Sequence, residues 1–466
     1  MIKSDGTITP VALRPKLDRL FALSAQKIRL IEKSWNSNDG TPVYTIKGRY
    51  TTRGWTEWTR GFQVGAAVLQ FDATGDREML DLGRRQTVEL MAPHVSHIGV
   101  HDHGFNNVST YGNLLRLMNE GRIEESEWER NFYVLALKVS GAVQAARWTT
   151  ITGGGGYIYS FNGPHSLFVD TMRSLRSLAM AHRLGHTLMG ERDRRISLLE
   201  RLIRHAEATA RFIVHYGEGR DSYDIRGRTA HEAIFNTNDG NFRCPSTQQG
   251  YTPFSTWTRG LAWAIAGYAE QLEFLDTLSD EELIPVGGRS SIVAVMLNAA
   301  RATSDFYMEQ TPTDGIPYWD TGAPNLHRLG DYLNQPADPF NDCEPVDSSA
   351  AAIAAQGLLR LGHHLRRHGE VDAGSRYRQA GLTIANTLLS EPYLSESGDH
   401  QGLLLHSIYH HPNGWDYVPD GSSIPRGESC MWGDYHLREL ALMLLREATG
   451  GPYLTFFGPD PAVTIT

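Results

Sequence analysis

Helical periodicity is the feature that most constrains the fold of this 466-residue chain, because apolar residues recur every three to four positions along most of it. Long alternating runs of β-branched residues, which would predict a sheet, are absent. Many segments carry apolar residues on more than one face, which is typical of helices packed between two layers. The pattern predicts twelve helices, near residues 14–34, 58–74, 77–91, 103–120, 125–147, 165–184, 190–216, 255–273, 280–308, 347–367, 370–390 and 430–447.

Twelve helices that alternate between an inner and an outer ring form an all-α (α/α)6 barrel, a six-hairpin toroid. A superhelical repeat array is the alternative, but no sequence repeat of fixed period is visible. No inter-domain linker is visible either, so we expect a single domain over residues 1–466. Long loops on a rigid scaffold often carry function. We expect such loops at one face of the barrel, formed by residues 149–164, 237–253, 322–345 and 398–427.

Composition excludes several classes of protein. The formal net charge of −9 and the absence of a Lys/Arg run argue against nucleic-acid binding. No apolar run approaches the length of a membrane span, and the first twenty residues lack the apolar core of a signal peptide. We therefore expect a cytoplasmic protein, or a periplasmic one if a leader has been removed. The cysteines are too far apart for a zinc motif or a disulfide framework; they are Cys244, Cys343 and Cys430.

A possible acid group lies in the stretch 160–180, SFNGPHSLFVDTMRSLRSLAM. Asn162 or Gly163 is a suitable helix cap, and Pro164 suits a first turn. Asp170 would lie one or two turns into this helix, off its apolar stripe. Apolar neighbours would raise the pKa of its carboxyl and make it a proton donor. The alternative is a surface aspartate that interacts favourably with the helix dipole.

A second carboxylate lies among histidines in PHVSHIGVHDHGF. A metal site is one interpretation, but the spacing of these histidines matches no standard zinc pattern. The other interpretation places Asp102 at a loop-to-helix junction, facing the same site as Asp170. A capping aspartate among solvated histidines is the structural alternative. The histidines are His94, His97, His101 and His103.

A third cluster combines an imidazole, an amide, a guanidinium and an indole in residues 229–263. Its members are His231, Gln249, Arg259 and Trp263. Arg259 and Trp263 are spaced i, i+4 and would share one face of a helix that Ser255 could cap. A planar guanidinium is a natural partner of a substrate carboxylate. No GxSxG elbow, P-loop or dinucleotide fingerprint accompanies these residues.

Several motifs, taken in order, resemble glycoside hydrolase family 88, the unsaturated glucuronyl hydrolases. WTRGFQVGAAVLQFDATGDREML resembles the family's Trp–x–x–Gly–Phe helix, and HDHGF resembles its His–Asp–x–Gly–Phe motif. FVDTM falls where the family has its catalytic aspartate, and QGYTPFSTWTRGLAW resembles its Gln–Gly–Tyr…Trp–x–Arg–Gly–x–Ala–Trp signature. IPYWDTG, VDSSAAAIAAQGLLRL, GLLLHSIYHHPNG and CMWGDYHLREL follow in the family's order.

This resemblance implies an (α/α)6 barrel that acts on Δ4,5-unsaturated uronic acids at the non-reducing end of lyase-generated oligosaccharides. The family hydrates the C4=C5 vinyl ether, and the resulting hemiketal opens and releases the next sugar. By position, Asp170 would be the general acid/base and Asp102 its partner carboxylate. No cofactor or metal is implied. Substrate-binding roles would fall to Trp58, His101, Phe161, His231, Gln249, Arg259 and Trp263.

The sequence also departs from the family. The family often has tryptophan where this chain has Phe161, in the context SFNGP. The parent polysaccharide and the choice between monomer and homodimer are not encoded in any visible pattern. Two hydrolase alternatives use the same barrel, an unsaturated rhamnogalacturonyl hydrolase and a saturated β-glucuronidase. A sugar 2-epimerase-like isomerase, using His101, His103 or His231, is the alternative of another class, and a non-catalytic sugar-binding barrel is the last.

Overall fold

A computed structural model describes residues 1–54 and 57–458, and within them twelve long helices form the barrel. Shorter α-helices at Ala92–Val95 and Asp280–Leu283 and several 3-10 turns lie in the connections. The long helices are α1 (Pro10–Ser34), α2 (Arg60–Thr74), α3 (Arg77–Leu90), α4 (His103–Asn107, continuing through a π-helical turn at Val108–Gly112 to Asn113–Asn119), α5 (Glu127–Ala146), α6 (Thr171–Ser174 with Arg176–Arg183), α7 (Leu198–Phe212), α8 (Thr258–Leu275), α9 (Arg289–Glu309), α10 (Ser348–Arg367), α11 (Val371–Leu388) and α12 (Met431–Ala448).

The even-numbered helices form the inner ring and the odd-numbered helices the outer ring. Every residue of α8 is buried, whereas outer helices such as α3 bury one face. Most connections that lead back from an outer to an inner helix are longer than those from an inner to the next outer helix. Only Gly75 and Asp76 separate α2 from α3, whereas residues 213–257 separate α7 from α8. The predicted (α/α)6 barrel is confirmed, and its long loops lie where the inner helices begin.

Nine short strands in these connections pair only as antiparallel ladders within the described residues. The three-stranded sheet β5–β8–β9 matters most for function, because β5 leads directly to Asp170 and His231 immediately precedes β8. The strands are β1 (Tyr44–Ile46), β2 (Arg49–Thr51), β3 (Trp148–Thr150), β4 (Gly156–Ile158), β5 (Ser166–Phe168), β6 (Leu188–Met189), β7 (Arg195–Ile196), β8 (Glu232–Phe235) and β9 (Phe242–Ser246). The other pairs are β1–β2, β3–β4 and β6–β7.

Helix starts are the main difference from the sequence prediction. Residues 166–168 pair with β8, so α6 begins at Thr171 and neither Asn162 nor Gly163 caps it. Asp170 is consequently the N-cap residue and does not lie one or two turns inside the helix. α8 likewise begins at Thr258 after Trp257, while the Ser255 hydroxyl bonds to Thr252. Local periodicity cannot detect these starts, because strand pairing with distant residues decides them.

The predicted helix 280–308 is divided at Gly287 and Gly288 into a short helix and α9. Among the described residues, no single helix has both the length and the apolar composition of a membrane span. The helical segments 280–286 and 289–309 meet the length and composition criteria only as a pair, and the angle between them is 78°.

Ion pairs fill the middle of the barrel, where four inner helices meet. Arg173 of α6 pairs with Glu270 of α8 and, at 2.9 Å, with Glu439 of α12. Arg360 of α10 pairs with Glu273 of α8 at 2.7 Å. These side chains are almost fully inaccessible, and a buried charge is tolerated only when it is paired. The pairs therefore tie the inner ring together beneath the loop face.

Candidate active site

Asp102 and Asp170 lie at the first residues of two neighbouring inner helices, on the loop face of the barrel. Asp102 precedes α4, Asp170 precedes α6, and neither side chain caps its own helix. The imidazole of His101 lies between them, with Nε2 3.6 Å from Asp102 Oδ1 and 3.5 Å from Asp170 Oδ1. Asp102 is 6% exposed and Asp170 is 9% exposed, so two buried carboxylates lie against one imidazole.

The two carboxyls have opposite pKa shifts. Burial raises the pKa of Asp102, and the nearby Asp170 charge raises it further against the opposing charge of His101. Burial also acts to raise the pKa of Asp170, but the adjacent imidazole of His101, with a smaller contribution from His231, brings it below its usual value. Burial lowers the pKa of His101, but both carboxylates act against this and leave it above its usual value.

The sequence expectation of a raised pKa at Asp170 is therefore wrong. Its apolar surroundings act as expected, but an adjacent imidazole that sequence reasoning did not pair with it has the larger effect. The lowered pKa of Asp170 and the raised pKa of His101 favour an ionised carboxylate beside an imidazole that holds a proton more readily than usual. The two groups titrate as a coupled pair, the His101–Asp170 unit.

His231 joins this group through the β5–β8 sheet. Its carbonyl accepts the Val169 N–H at 3.0 Å, which fixes the strand end next to Asp170. Its Nδ1 accepts the Gln248 N–H at 3.0 Å, so the proton of the neutral ring resides on Nε2. Burial lowers the pKa of His231 to about 4, which keeps the ring neutral near pH 7. His231 Nε2 is a buried donor without a partner among the described residues.

Arg259 is buried between the rings of Trp257 and Trp432. Its Cζ lies 4.6 Å from the Trp257 ring centroid and 4.9 Å from that of Trp432. One terminal nitrogen donates to Asp347 at 2.9 Å and to the Ile408 carbonyl. The other donates to Gln249 Oε1 at 2.8 Å and to the Tyr409 carbonyl at 2.7 Å. Both terminal nitrogens therefore have protein acceptors, and the predicted contact of Arg259 with a substrate carboxylate stays a prediction. In the structure Arg259 orients Gln249 and fixes the loop at residues 408–409.

The predicted aromatic residues occupy three different environments. Phe161 is 44% exposed and stacks on His101, with ring centroids 6.2 Å apart, on the solvent side of this imidazole. Trp58 is half-buried and stacks on Trp432 at 4.9 Å. Trp263 is 2% exposed and packs on Phe105 and His436, so its observed contacts are those of a core residue.

The other histidines near Asp102 do not converge on a metal position among the described residues. His103 bonds through Nδ1 to Ser140 and through Nε2 to the His97 carbonyl, both at 3.0 Å. His94 Nδ1 lies 3.2 Å from the side-chain nitrogen of Asn106. Burial lowers the pKa of His94 and of His103 to about 4. They are neutral structural histidines, and only His101 of this group lies between the two carboxylates.

Sequence reasoning assigned no role to His410 or Asp416 in the loop before α12. His410 is buried, and its Nδ1 has no partner among the described residues. Asp416 accepts the backbone N–H groups of Tyr409 and His410, and burial raises its pKa to about 6. Asp416 thus shapes the loop whose carbonyls hold Arg259. The only sequence signal was the long polar loop itself, which does not specify which side chains turn inward.

With this (α/α)6 barrel and its pair of buried carboxylates, the chain is similar along most of its length to curated glycoside hydrolases. An unsaturated glucuronyl hydrolase of Bacillus sp. strain GL1 is 27% identical over 429 residues, which cover 89% of this chain and 91% of the relative. An unsaturated chondroitin disaccharide hydrolase of Streptococcus agalactiae serotype III is 22% identical, over 87% of this chain and 86% of the relative.

A crystal structure described as an unsaturated glucuronyl hydrolase specific for heparin superposes with a TM-score of 0.69 and 20% identity, over 94% of this chain and 98% of that one. This structural likeness shows the shared fold. No protein-family model matches the chain. The relatives confirm the resemblance to glycoside hydrolase family 88, the unsaturated glucuronyl hydrolases, that the motifs predict.

Proposed function

We propose that this protein removes a Δ4,5-unsaturated glucuronic acid from the non-reducing end of lyase-generated oligosaccharides by hydrating its C4=C5 bond. The observation that carries the proposal is a group of buried polar atoms around the two carboxylates that make no hydrogen bond within the described residues, although His101 Nε2 and Asp170 Oδ1 face each other at 3.5 Å. They are His101 Nδ1 and Nε2, Asp170 Oδ1, His231 Nε2 and His410 Nδ1. Native proteins rarely leave buried polar atoms unpaired, and a polar ligand is one reason for such an arrangement.

The charge of the pocket suits an anionic sugar despite the net charge of −9. The inner helices begin at this face, so their positive dipole ends point toward the substrate. The imidazole of His101, whose pKa is raised by the two carboxylates, and the Nε2–H of His231 add donors beside Asp170. A uronate carboxylate would therefore meet helix ends and imidazoles, while Arg259 stabilises the surrounding wall.

The His101–Asp170 unit supplies the proton that hydration requires. A bound uronate brings a second negative charge and excludes water, and both effects raise the pKa of Asp170. The proton then moves from His101 to Asp170 and on to C4, while positive charge develops at C5. The ionised Asp170 accepts a proton from the water that adds at C5. The resulting hemiketal opens and releases the next sugar, and Asp102 stabilises the charge at C5.

The direct test is the ultraviolet absorbance of the conjugated enol-ether carboxylate, which hydration destroys. We expect the absorbance of unsaturated chondroitin, hyaluronan or heparin disaccharides to fall on addition of the protein. In ¹⁸O-labelled water the label should appear at C5 of the released uronate. Label at the anomeric carbon would instead indicate ordinary glycosidic cleavage. No absorbance loss on any unsaturated glucuronyl disaccharide, with folded protein, would contradict the proposal.

The pH profile tests the role of His101. Because its pKa is raised above the usual value near 6.5, the protonated form is present below that raised pKa and is lost as pH increases through it. We expect kcat/KM to fall on the alkaline side with that pKa. His101→Asn should remove this alkaline limb and lower the rate by about 10²-fold or more. His97→Asn, in the same loop, is the control. A pH profile that His101→Asn leaves unchanged would refute proton transfer by the His101–Asp170 unit.

A further inference from the structure

A second cluster of ionisable groups lies at the end of the barrel opposite the loop face. His364 and His368 are spaced i, i+4 near the end of α10, and Asp276 follows the end of α8. His364 Nδ1 lies 3.1 Å from Asp276 Oδ2, and His368 Nε2 lies 3.2 Å from both carboxylate oxygens. α8 has 18 residues and is about 27 Å long, so this cluster lies a helix length away from the face where the inner helices begin.

The spacing of these atoms fits a metal ion. Bonds of about 2.0–2.2 Å in a tetrahedral zinc site place neighbouring ligand atoms about 3.3–3.5 Å apart. The two His-to-carboxylate distances are close to this separation, and one ligand atom from each residue lies within 4.8 Å of the other two. Two histidines at i, i+4 on a helix, with a carboxylate, are a recurrent ligand set for transition metals. Among the described residues, no other group of three such side chains has its ligand atoms this close together.

The electrostatic setting also favours a cation. Asp276 is the C-cap residue of α8 and His368 the C-cap residue of α10, so the negative dipole ends of two helices converge there. A carboxylate at a helix C-terminus is unfavourable unless positive charge compensates it. A cation bound between the two helix ends would supply that charge.

We propose that Asp276, His364 and His368 bind a divalent transition-metal ion, with Zn²⁺ as the representative case. The side chain of His368 is 53% exposed, so solvent reaches the site and water completes the coordination. The ion links the C-terminal ends of α8 and α10, two neighbouring inner helices. Its role is to stabilise the barrel far from the reacting sugar, and the site stands independently of the proposed function.

Calorimetric titration of chelator-treated protein with Zn²⁺ tests this site. We expect one equivalent to bind, with an increase in the melting temperature that grows with Zn²⁺ concentration. His368→Gln should weaken binding by roughly 100-fold or more, because one of three ligands is lost. Cobalt should give the visible absorption of a bound ion, and His368→Gln should remove it.

His182→Gln is the matched control, because His182 also contacts a carboxylate, Glu282, at 3.2 Å but lacks a second histidine there. It should retain the equivalent of Zn²⁺ and the absorption of bound cobalt. Absence of stoichiometric binding, or equal binding by wild type and His368→Gln, would overturn the metal site. Equal losses in both variants would also overturn it, since they would indicate adventitious binding. Hydration activity should be unchanged in His368→Gln, so this result does not depend on the proposed reaction.

Discussion

Asp170→Asn should reduce turnover of unsaturated disaccharides by about 10³-fold or more while the protein remains folded. Asp170 Oδ1 is buried and makes no hydrogen bond within the described residues, and it lies 3.5 Å from His101 Nε2. An amide neither carries the proton to C4 nor accepts one from water, and a positioned acid–base group contributes about 10²–10⁴-fold to a rate. Both halves of the reaction would therefore fail. The measurement is the initial rate of absorbance loss at saturating substrate.

Asp18→Asn provides the control for this substitution, because Asp18 pairs with Arg14 on the exposed face of α1. Exposed pairs contribute at most about 1 kcal/mol, so both activity and stability should be nearly unchanged. Circular dichroism and thermal melting establish that Asp170→Asn is folded, and substrate binding to this variant should persist. Near-normal turnover in folded Asp170→Asn would eliminate Asp170 as the acid.

Glu439→Gln should lower the free energy of unfolding by about 3–5 kcal/mol, the loss expected when one partner of a buried ion pair is removed. Glu439 of α12 contacts Arg173 at 2.9 Å and Arg176 at 3.6 Å, and all three side chains are inaccessible. The neutral amide leaves two guanidinium groups in the barrel interior with less compensating charge. Urea denaturation followed by circular dichroism measures the difference.

The pH dependence gives this prediction a second signature. Burial acts to raise the pKa of Glu439, but Arg173 and the other nearby positive groups lower it to about 2. The stabilisation is therefore complete above the ordinary glutamate pKa and is lost as pH falls toward about 2. Glu439→Gln should lack this part of the acid transition. Glu32→Gln, which removes the exposed partner of Arg85, is the control and should change the free energy of unfolding by less than about 1 kcal/mol.

The sequence predicted the twelve helices and their alternation well, because the two rings leave different patterns of apolar residues. An inner helix such as α8 is buried on every side, and an outer helix such as α3 has one apolar stripe. The start of α6 was wrong by several residues. Residues 166–168 could follow helical periodicity, but their partner strand lies about 65 residues later in the chain, at 232–234.

For the site, the order of the motifs in the sequence predicted the resemblance to the family, the barrel and the candidate pair Asp102 and Asp170, since these depend on residue identity and spacing. Only the tertiary structure decided which atoms face each other. It placed His101 between the carboxylates and so reversed the expected pKa shift of Asp170. It also engaged both terminal nitrogens of Arg259 with protein acceptors. Electrostatic interactions act over a few ångströms between residues far apart in the chain, and that proximity exists only after the helices have packed.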